Sequence, residues 1–406
     1  MNDIRSTLSA QTCTPTPRRK SAGDNGTHDS GDEDRIMSGQ PDRELFVFLG
    51  RRGAISRWVP DITGLTAGRA AVVVSRQNEI YNQIRNSGPN IVKVDTFDNV
   101  LGAIWHLPRI FSIRRKICHH IRTRGITRVV ILMSHIWTPF LARAVRNCGA
   151  QYVVIVHDAV PHPGDISAMV HWWLIRDALK ADKVITLSRH VAGELIKRYP
   201  NLQGRVEILF HPLLGTANSS DRSVQGRPLK FLFFGRLLQY KGLPLFVEAC
   251  EILRREKLRF EFSVIGEGNL GYLRTRLEAI GAEIVNRWIG EGEISTIMER
   301  HDVVVVSSTE ASQSGVITVA FAAGRPVIAT PVGGMSEQID DGRTGILANS
   351  VSAEAIADAM RRLIFDPALL ATLATGAREL QDQFSMARFL HALDGVAADF
   401  TSAIRH

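Results

Sequence analysis

The sequence predicts an α/β protein in which two doubly wound domains face each other across a cleft. Its 406 residues are too many for a single hydrophobic core. From residue 44 onwards, short apolar runs alternate with stretches of helical spacing, and one polar segment at 212–228 interrupts them. Such alternation favours parallel sheets covered by helices. Because these sheets bind ligands at the carboxyl ends of their strands, we expect the functional site in the cleft.

The chain begins with a segment that is predicted to be a disordered extension, residues 1–42. It is rich in Ser, Thr, Asp, Gly and Pro and has few apolar residues to bury. It has no apolar h-region, so we do not expect a signal peptide. Met37 directly precedes the first predicted strand, so either Met1 or Met37 can be the start.

The first domain is predicted over residues 43–211. Its apolar runs are rich in Val and Ile, which is typical of strands buried on both faces of a sheet. The predicted strands are Leu45–Leu49, Ala71–Ser75, Ile91–Val94, Val129–Leu132, Tyr152–Val156 and Val184–Leu187. Helices are predicted over Trp137–Asn147 and Val191–Tyr199, the second with Ser188 as its N-cap.

A linker is predicted over residues 212–228, which are polar and rich in Gly, Ser and Pro. The second domain is predicted over residues 229–380. A C-terminal helix follows over 381–406, and the first domain is a candidate surface for this helix to pack on. The predicted strands are Leu229–Phe234, Phe260–Ile265, Val303–Val306, Pro326–Ala329 and Gly345–Leu347. Helices are predicted over Leu243–Arg255, Glu293–Arg300 and most of 352–404.

The positive charge is concentrated in the first domain. Residues 43–210 contain 24 Lys and Arg against 11 Asp and Glu, although the whole chain carries only +8. Such a surface suits nucleic acid, acidic lipid or a phosphorylated substrate, and a merely solvated surface is the alternative. The four cysteines are scattered and lack C-x-x-C spacing, so the sequence predicts neither a disulfide framework nor a metal site. A protein without disulfides is typical of the reducing cytosol.

One loop of the second domain carries the strongest candidate for ligand binding, Phe234-Gly-Arg-Leu-Leu-Gln-Tyr-Lys-Gly242. Arg236 and Lys241 stand five residues apart after a strand, where two cations can hold a diphosphate from both sides. Gly235 lets the backbone approach a ligand closely. A chance pair of surface cations is the alternative.

The segment Gly266-Glu-Gly-Asn-Leu-Gly271 matches the dinucleotide fingerprint G-x-G-x-x-G. A dinucleotide site also needs an acidic residue at the end of the next strand. The next candidate strand, Glu283–Asn286, has no acidic residue at its end. We therefore interpret the segment as a tight strand-to-helix turn near a ligand, with Gly266 at its start.

Two further segments follow predicted strands at the cleft. Ser307–Ile317 leads into a helix predicted over 316–323, whose first N–H groups can face an anion. Glu310 lies on the approach, and His157 ends a strand of the first domain. Alternatively, Glu310 is an exposed acidic residue of a loop, and His157 has only a structural role.

Together these motifs resemble the retaining glycosyltransferases of family 4, also called glycosyl transferases group 1. The resemblance rests on the G-R-x4-K-G loop, the G-x-G turn, G-R-P-V-I-A-T-x-V-G-G, and E-A-S-Q-S-G-V-I, which marks a subgroup. It implies the GT-B fold, with two Rossmann-like domains, the acceptor domain first and the donor domain second. It also implies that a sugar is transferred from a nucleotide-diphosphate donor to an acceptor with its anomeric configuration retained. This reaction would require neither a metal ion nor a cofactor.

The resemblance also implies a role for each matching residue. Arg236 and Lys241 would hold the donor diphosphate, and His157 and Glu310 would orient the sugar as catalytic residues. The remaining donor-binding residues would be Gly235, Gly266, Ser314, Gly315 and Val316. The ribose-binding Glu of the family falls on Val319, so this sequence departs from the common pattern.

The implied acceptor is a glycan or a polyprenyl-diphosphate-linked saccharide of bacterial surface or exopolysaccharide biosynthesis, and no nucleic acid is involved. One alternative is a sugar-nucleotide epimerase, which would need paired carboxylates where only Glu310 is evident. The other is a non-catalytic nucleotide-sugar-binding subunit, consistent with Val319. The expected location is the cytoplasm, with peripheral contact to the inner face of the cytoplasmic membrane.

The segment Leu107–Arg124 motivates the membrane contact. Ile110, Ile113, Ile117 and Ile121 recur at helical spacing, and Lys and Arg cover much of the remaining surface. In one interpretation the isoleucines lie on an anionic bilayer. In the other they face the core, and only the basic side chains reach lipid.

Overall fold

The computed structural model describes residues 44–403 except 67–69, 85–89, 99, 163–167 and 215–225. The predicted extension and most of the predicted linker therefore lie outside the described residues. Within the described part of the chain, no helix combines the length and the hydropathy that a membrane span requires.

Seven parallel strands form the first sheet, in the order β3-β2-β1-β4-β5-β6-β7. The strands are β1 (Glu44–Phe48), β2 (Ala71–Ser75), β3 (Ile91–Val94), β4 (Arg128–Ile131), β5 (Gln151–Val156), β6 (Lys183–Thr186) and β7 (Val206–Ile208). The six predicted strands are confirmed. The sequence analysis did not include β7, because this three-residue edge strand is only partly buried and lacks a continuous apolar run.

Six parallel strands form the second sheet, in the order β10-β9-β8-β11-β12-β13. The strands are β8 (Leu229–Phe234), β9 (Phe260–Ile265), β10 (Glu283–Val285), β11 (Val303–Val306), β12 (Val327–Ala329) and β13 (Gly345–Leu347). Helices pack on both faces of each sheet, which confirms the prediction of two doubly wound α/β units.

Fifteen α-helices lie within the described residues. They are α1 (Trp58–Leu65), α2 (Tyr81–Ile84), α3 (Val100–Trp105), α4 (Arg109–Arg124), α5 (Ala142–Asn147), α6 (Ala168–Lys180), α7 (Arg189–Arg198), α8 (Leu243–Arg255), α9 (Leu273–Ala279), α10 (Glu291–Glu299), α11 (Gly315–Ala322), α12 (Met335–Gln338), α13 (Ala353–Phe365), α14 (Pro367–Gln383) and α15 (Met386–Ala403). Ser188 caps α7 as predicted, since its Oγ accepts a hydrogen bond from the Val191 amide at 3.2 Å.

The predicted helix Trp137–Asn147 is interrupted in the structure. A 3-10 turn occupies Thr138–Phe140, and α5 begins only at Ala142. Pro139 lies inside the turn and cannot donate a backbone hydrogen bond there. The helical tail likewise divides into α13, α14 and α15, so the predicted boundary at 380 falls inside α14.

The isoleucine stripe of α4 faces the core. Ile110, Ile113, Ile117 and Ile121 are all buried, and they pack with the apolar face of the first sheet. The interpretation in which this stripe lies on a bilayer is therefore wrong. An apolar stripe on a helix can be buried either against a sheet or in lipid, and the sequence pattern is the same in both cases. In this structure the first sheet covers the stripe.

The C-terminal helix α15 lies against the first half of the chain. The Phe389 ring is fully buried with its centroid 5.1 Å from that of Trp58 on α1. Arg128, at the start of β4, donates a hydrogen bond to the Leu393 carbonyl at 2.6 Å and pairs with Asp394 at 3.0 Å. The chain therefore crosses twice between the halves, once before β8 and once before α15.

We predict that Phe389→Ala lowers the free energy of unfolding by about 3–5 kcal/mol, because it leaves a cavity beneath α15. Phe365→Ala is the matched control, since Phe365 is 67% exposed and its loss should cost under ~0.5 kcal/mol. Urea unfolding followed by tryptophan fluorescence measures both. Equal stability of the two variants would contradict the packing of α15.

Candidate active site

A cavity of about 570 Å³ lies between the carboxyl ends of the two sheets. The first half contributes the loop after β1 and the end of β5. The second half contributes the loop after β8, the turn after β9, the segment before α10 and the start of α11. This is the edge at which parallel sheets bind ligands, and the sequence analysis placed the site there.

The two predicted cations lie on one wall of this cavity. Arg236 and Lys241 both line it, and the Lys241 ammonium lies 4.8 Å from the centroid of the Tyr240 ring. Their loop turns sharply at Gly242, where φ is 69° and a Cβ atom would lie 1.8 Å from the Ser307 carbonyl oxygen. No other residue type fits this position, so the glycine fixes the path of the loop.

The turn after β9 packs directly on this loop. Gly266 lines the cavity with φ 153°, and a Cβ atom there would lie 1.8 Å from the Gly235 carbonyl oxygen. The G-x-G pattern therefore allows two backbone segments to touch at the cavity wall. Gly235 itself also lines the cavity.

His157 faces these cations from the end of β5. Its Nε2 donates a hydrogen bond to the Leu132 carbonyl at 2.9 Å, and its Nδ1 accepts one from the Gln313 side-chain amide at 3.4 Å. Burial lowers the pKa of the imidazole, so the ring is neutral near pH 7. Both ring nitrogens are thus engaged, and one of the partners comes from the opposite half.

The other predicted catalytic residue, Glu310, is not among the residues that line the cavity. Its side chain is 57% exposed, and its Oε2 lies 3.9 Å from Nδ1 of His162. The sequence position alone suggested proximity because Glu310 is only a few residues from α11. The loop instead turns this carboxylate towards solvent. The neighbouring residue that lines the cavity is His162.

The start of α11 meets the cavity through Gly315 and Val316. Ser314 is buried, and its amide donates a hydrogen bond to the Gln338 side-chain oxygen at 2.8 Å. That amide is therefore already used within the protein. Val319 lies one turn further along and presents an apolar side chain to the cavity.

Several wall residues escaped the sequence analysis. Arg52 and Gly53, in the loop after β1, line the cavity together with Trp288. Trp288 donates its indole hydrogen bond to Glu79 at 3.1 Å, and the Arg52 guanidinium lies 5.2 Å from its ring centroid. The available signal was the pair of arginines between Gly50 and Gly53 at the end of a strand.

His162 forms another contact across the cleft. Its Nε2 accepts a hydrogen bond from the Ser312 amide at 3.3 Å, and its ring stacks on Tyr240 with centroids 4.8 Å apart. Arg57 and Glu291 form an ion pair between the halves as well. The described halves therefore contact each other beside the cavity.

Residues 228–366 match the family described as Glycosyl transferases group 1. The D-inositol 3-phosphate glycosyltransferase of Pseudarthrobacter chlorophenolicus is 31% identical over 46% of this chain and 49% of its own length. The amylovoran biosynthesis glycosyltransferase AmsK of Erwinia amylovora is 27% identical over 43% of this chain and 52% of its own length. The chain thus spans about half the length of these curated relatives.

Among solved structures, the Anabaena protein HepE in complex with UDP superimposes with a TM-score of 0.68 at 17% identity, over 88% of this chain and 100% of that one. At this identity the likeness concerns the fold, and it agrees with the two parallel sheets described above. The chain therefore has the GT-B fold, and its residues 228–366 are similar to the Glycosyl transferases group 1 family.

Proposed function

We propose that this protein is a retaining glycosyltransferase of family 4 that transfers a sugar from a nucleotide-diphosphate donor to a glycan or polyprenyl-diphosphate-linked acceptor. One observation carries the proposal: Arg236 and Lys241 share a cavity wall with Gly266, and His157 lines the same cavity from the other half. The family match over the same half and the UDP bound by HepE support a nucleotide-sugar donor. AmsK, by its name, supports a role in bacterial polysaccharide biosynthesis.

In this proposal the leaving diphosphate is stabilised by protein groups. Negative charge develops on it as the glycosidic bond breaks, and Arg236 and Lys241 are held in place before the reaction by the rigid glycine loop. Preorganised cations in a partly closed cavity stabilise such charge strongly. The N–H groups at the start of α11 add a favourable dipole.

The neutral state of His157 suits a retaining reaction without an enzymic base. In this proposal Nε2 stays bonded to the Leu132 carbonyl and takes no proton, and a hydroxyl of the transferred sugar replaces the Gln313 amide as the donor to Nδ1. A phosphate oxygen of the leaving group then accepts the proton of the acceptor hydroxyl on the same face of the sugar. The configuration at the anomeric carbon is thereby retained.

A purified-protein assay tests the proposal and separates it from the alternatives. Thermal-shift screening of UDP-, GDP- and ADP-sugars identifies the donor, and acceptor-dependent release of nucleoside diphosphate then measures transfer. Epimerisation of the donor without an acceptor would instead show a sugar-nucleotide epimerase. Donor binding with neither reaction, over a panel of lipid-linked and free saccharides, would favour a non-catalytic subunit.

We predict that Arg236→Ala or Lys241→Ala lowers kcat/KM by at least ~100-fold, since loss of one preorganised group costs about 3 kcal/mol of transition-state stabilisation. Arg274→Ala is the control. Arg274 carries a half-exposed cation in the same half and does not line the cavity. Near-normal kinetics in both test variants would remove the diphosphate contact from the mechanism.

His157→Ala is expected to lower kcat more than it weakens donor binding, because the ring belongs to the half opposite the donor cations. Its contact with the sugar therefore depends on the closed cleft and acts mainly in the transition state. Steady-state kinetics and donor titration measure the two effects separately. Weakened donor binding with an unchanged kcat would assign His157 to ground-state binding.

The transfer reaction is expected to proceed with almost unchanged rate in EDTA. Arg236 and Lys241 neutralise the diphosphate in this mechanism, so it requires no divalent ion. The assay compares initial rates before and after chelation. Complete loss of activity that Mn²⁺ or Mg²⁺ restores would show that the mechanism is metal-dependent.

A further inference from the structure

Exposed large apolar side chains are concentrated in one part of the first half. Eight of the twelve large hydrophobic residues that are exposed among the described residues lie between residues 104 and 172. We call this set the aromatic patch. Its members are Ile104, Trp105, Leu107, Phe111, Met133, Phe140, Met169 and Trp172. Trp105 is 80% exposed and Phe111 70%, which is unusual for aromatic side chains in a soluble domain.

The elements that carry the patch are neighbours in space. The Trp137 indole donates a hydrogen bond to the Ala103 carbonyl at 3.3 Å, which joins the loop after β4 to α3. The Trp173 indole donates one to the Ile136 carbonyl at 2.8 Å, which joins the same loop to α6. Phe140 and Trp173 are also in ring contact at 5.4 Å. The elements that carry the patch therefore lie side by side at the carboxyl edge of the first sheet.

The patch is bordered by positive charge. The segment Val100–Arg124 contains six Lys and Arg and no Asp or Glu, and the stretch 132–148 adds Arg143 and Arg146, again without an acidic residue. The Arg176 guanidinium lies 3.9 Å from the centroid of the Trp172 ring. Arginines beside exposed Trp and Phe suit the boundary between lipid headgroups and acyl chains, where aromatic rings are enriched.

The same helix that exposes part of the patch also lines the cavity. His171, Leu174, Ile175 and Ala178 lie on one face of α6 and reach the cavity wall, whereas Met169 and Trp172 are exposed. Met133 belongs to both surfaces, because it is exposed and lines the cavity. A bilayer that covers the patch would therefore lie next to the opening of the cavity.

We propose that the aromatic patch docks on an anionic phospholipid bilayer, with Trp105, Phe111 and Trp172 inserted at the headgroup level. The surrounding Lys and Arg side chains hold the anionic lipids. Docking does not depend on the proposed transfer reaction. If that reaction also holds, docking presents the cavity to an acceptor whose diphosphate lies at the membrane surface.

Co-sedimentation with vesicles tests the proposal without donor or acceptor. The wild-type protein is expected to bind an equimolar phosphatidylcholine–phosphatidylglycerol mixture, to bind pure phosphatidylcholine weakly, and to dissociate at high salt. Trp105→Gln combined with Phe111→Gln should weaken partitioning at least ~10-fold. Arg115→Gln should weaken it about fivefold, since a surface cation contributes about 1 kcal/mol at an anionic membrane.

The matched control is Tyr272→Gln combined with Phe365→Gln, which removes two similarly exposed aromatic rings from the second half. It should partition like the wild type, and all variants should keep the wild-type melting temperature. Equal binding of the two double variants, or no wild-type binding to either vesicle, would overturn the proposal. Concentration-dependent dimerisation that Trp105→Gln abolishes, without vesicle binding, would assign the patch to a second copy instead.

Discussion

The close approach of backbone segments at the carboxyl edge of the second sheet is the constraint on which the candidate site depends. Gly242 lies against the end of β11, and Gly266 lies against Gly235, in both cases with no room for a Cβ atom. The loop that carries Arg236 and Lys241 is therefore fixed on two sides. Both cations reach the cavity wall, and the fixed path of the loop lowers the entropic cost of holding them there.

Polar contacts between the halves complete the site. Gln313 reaches His157, Ser312 reaches His162, and Trp288 reaches Glu79. Each contact joins a loop after a strand of one sheet to a loop of the other. Because the loops that carry His157, Gln313 and Trp288 also line the cavity, movement of one half relative to the other would change the shape of the site and the orientation of His157 at once.

The first half combines a buried and an exposed apolar surface on consecutive elements. The isoleucines of α4 are covered by the sheet, whereas Phe111 at its start and Trp105 on α3 are exposed. The first half also contains the excess of Lys and Arg. Part of this positive charge lies beside exposed aromatic side chains, as at Arg176 and Trp172. This arrangement links the charge asymmetry of the chain to a defined face of the molecule.

The sequence by itself determined the two-sheet fold and the loops that carry the candidate site. Strands buried on both faces must be continuously apolar, as in Val303–Val306, and sharp turns at strand ends require glycine, so both leave local signals. Only the tertiary structure decided which side chains meet: Glu310 turns outwards, the Ser314 amide is used by Gln338, and Trp288 pairs with Glu79 at a separation of 209 residues. Such contacts depend on how two separate sheets are placed against each other, and no local pattern of residues encodes that placement.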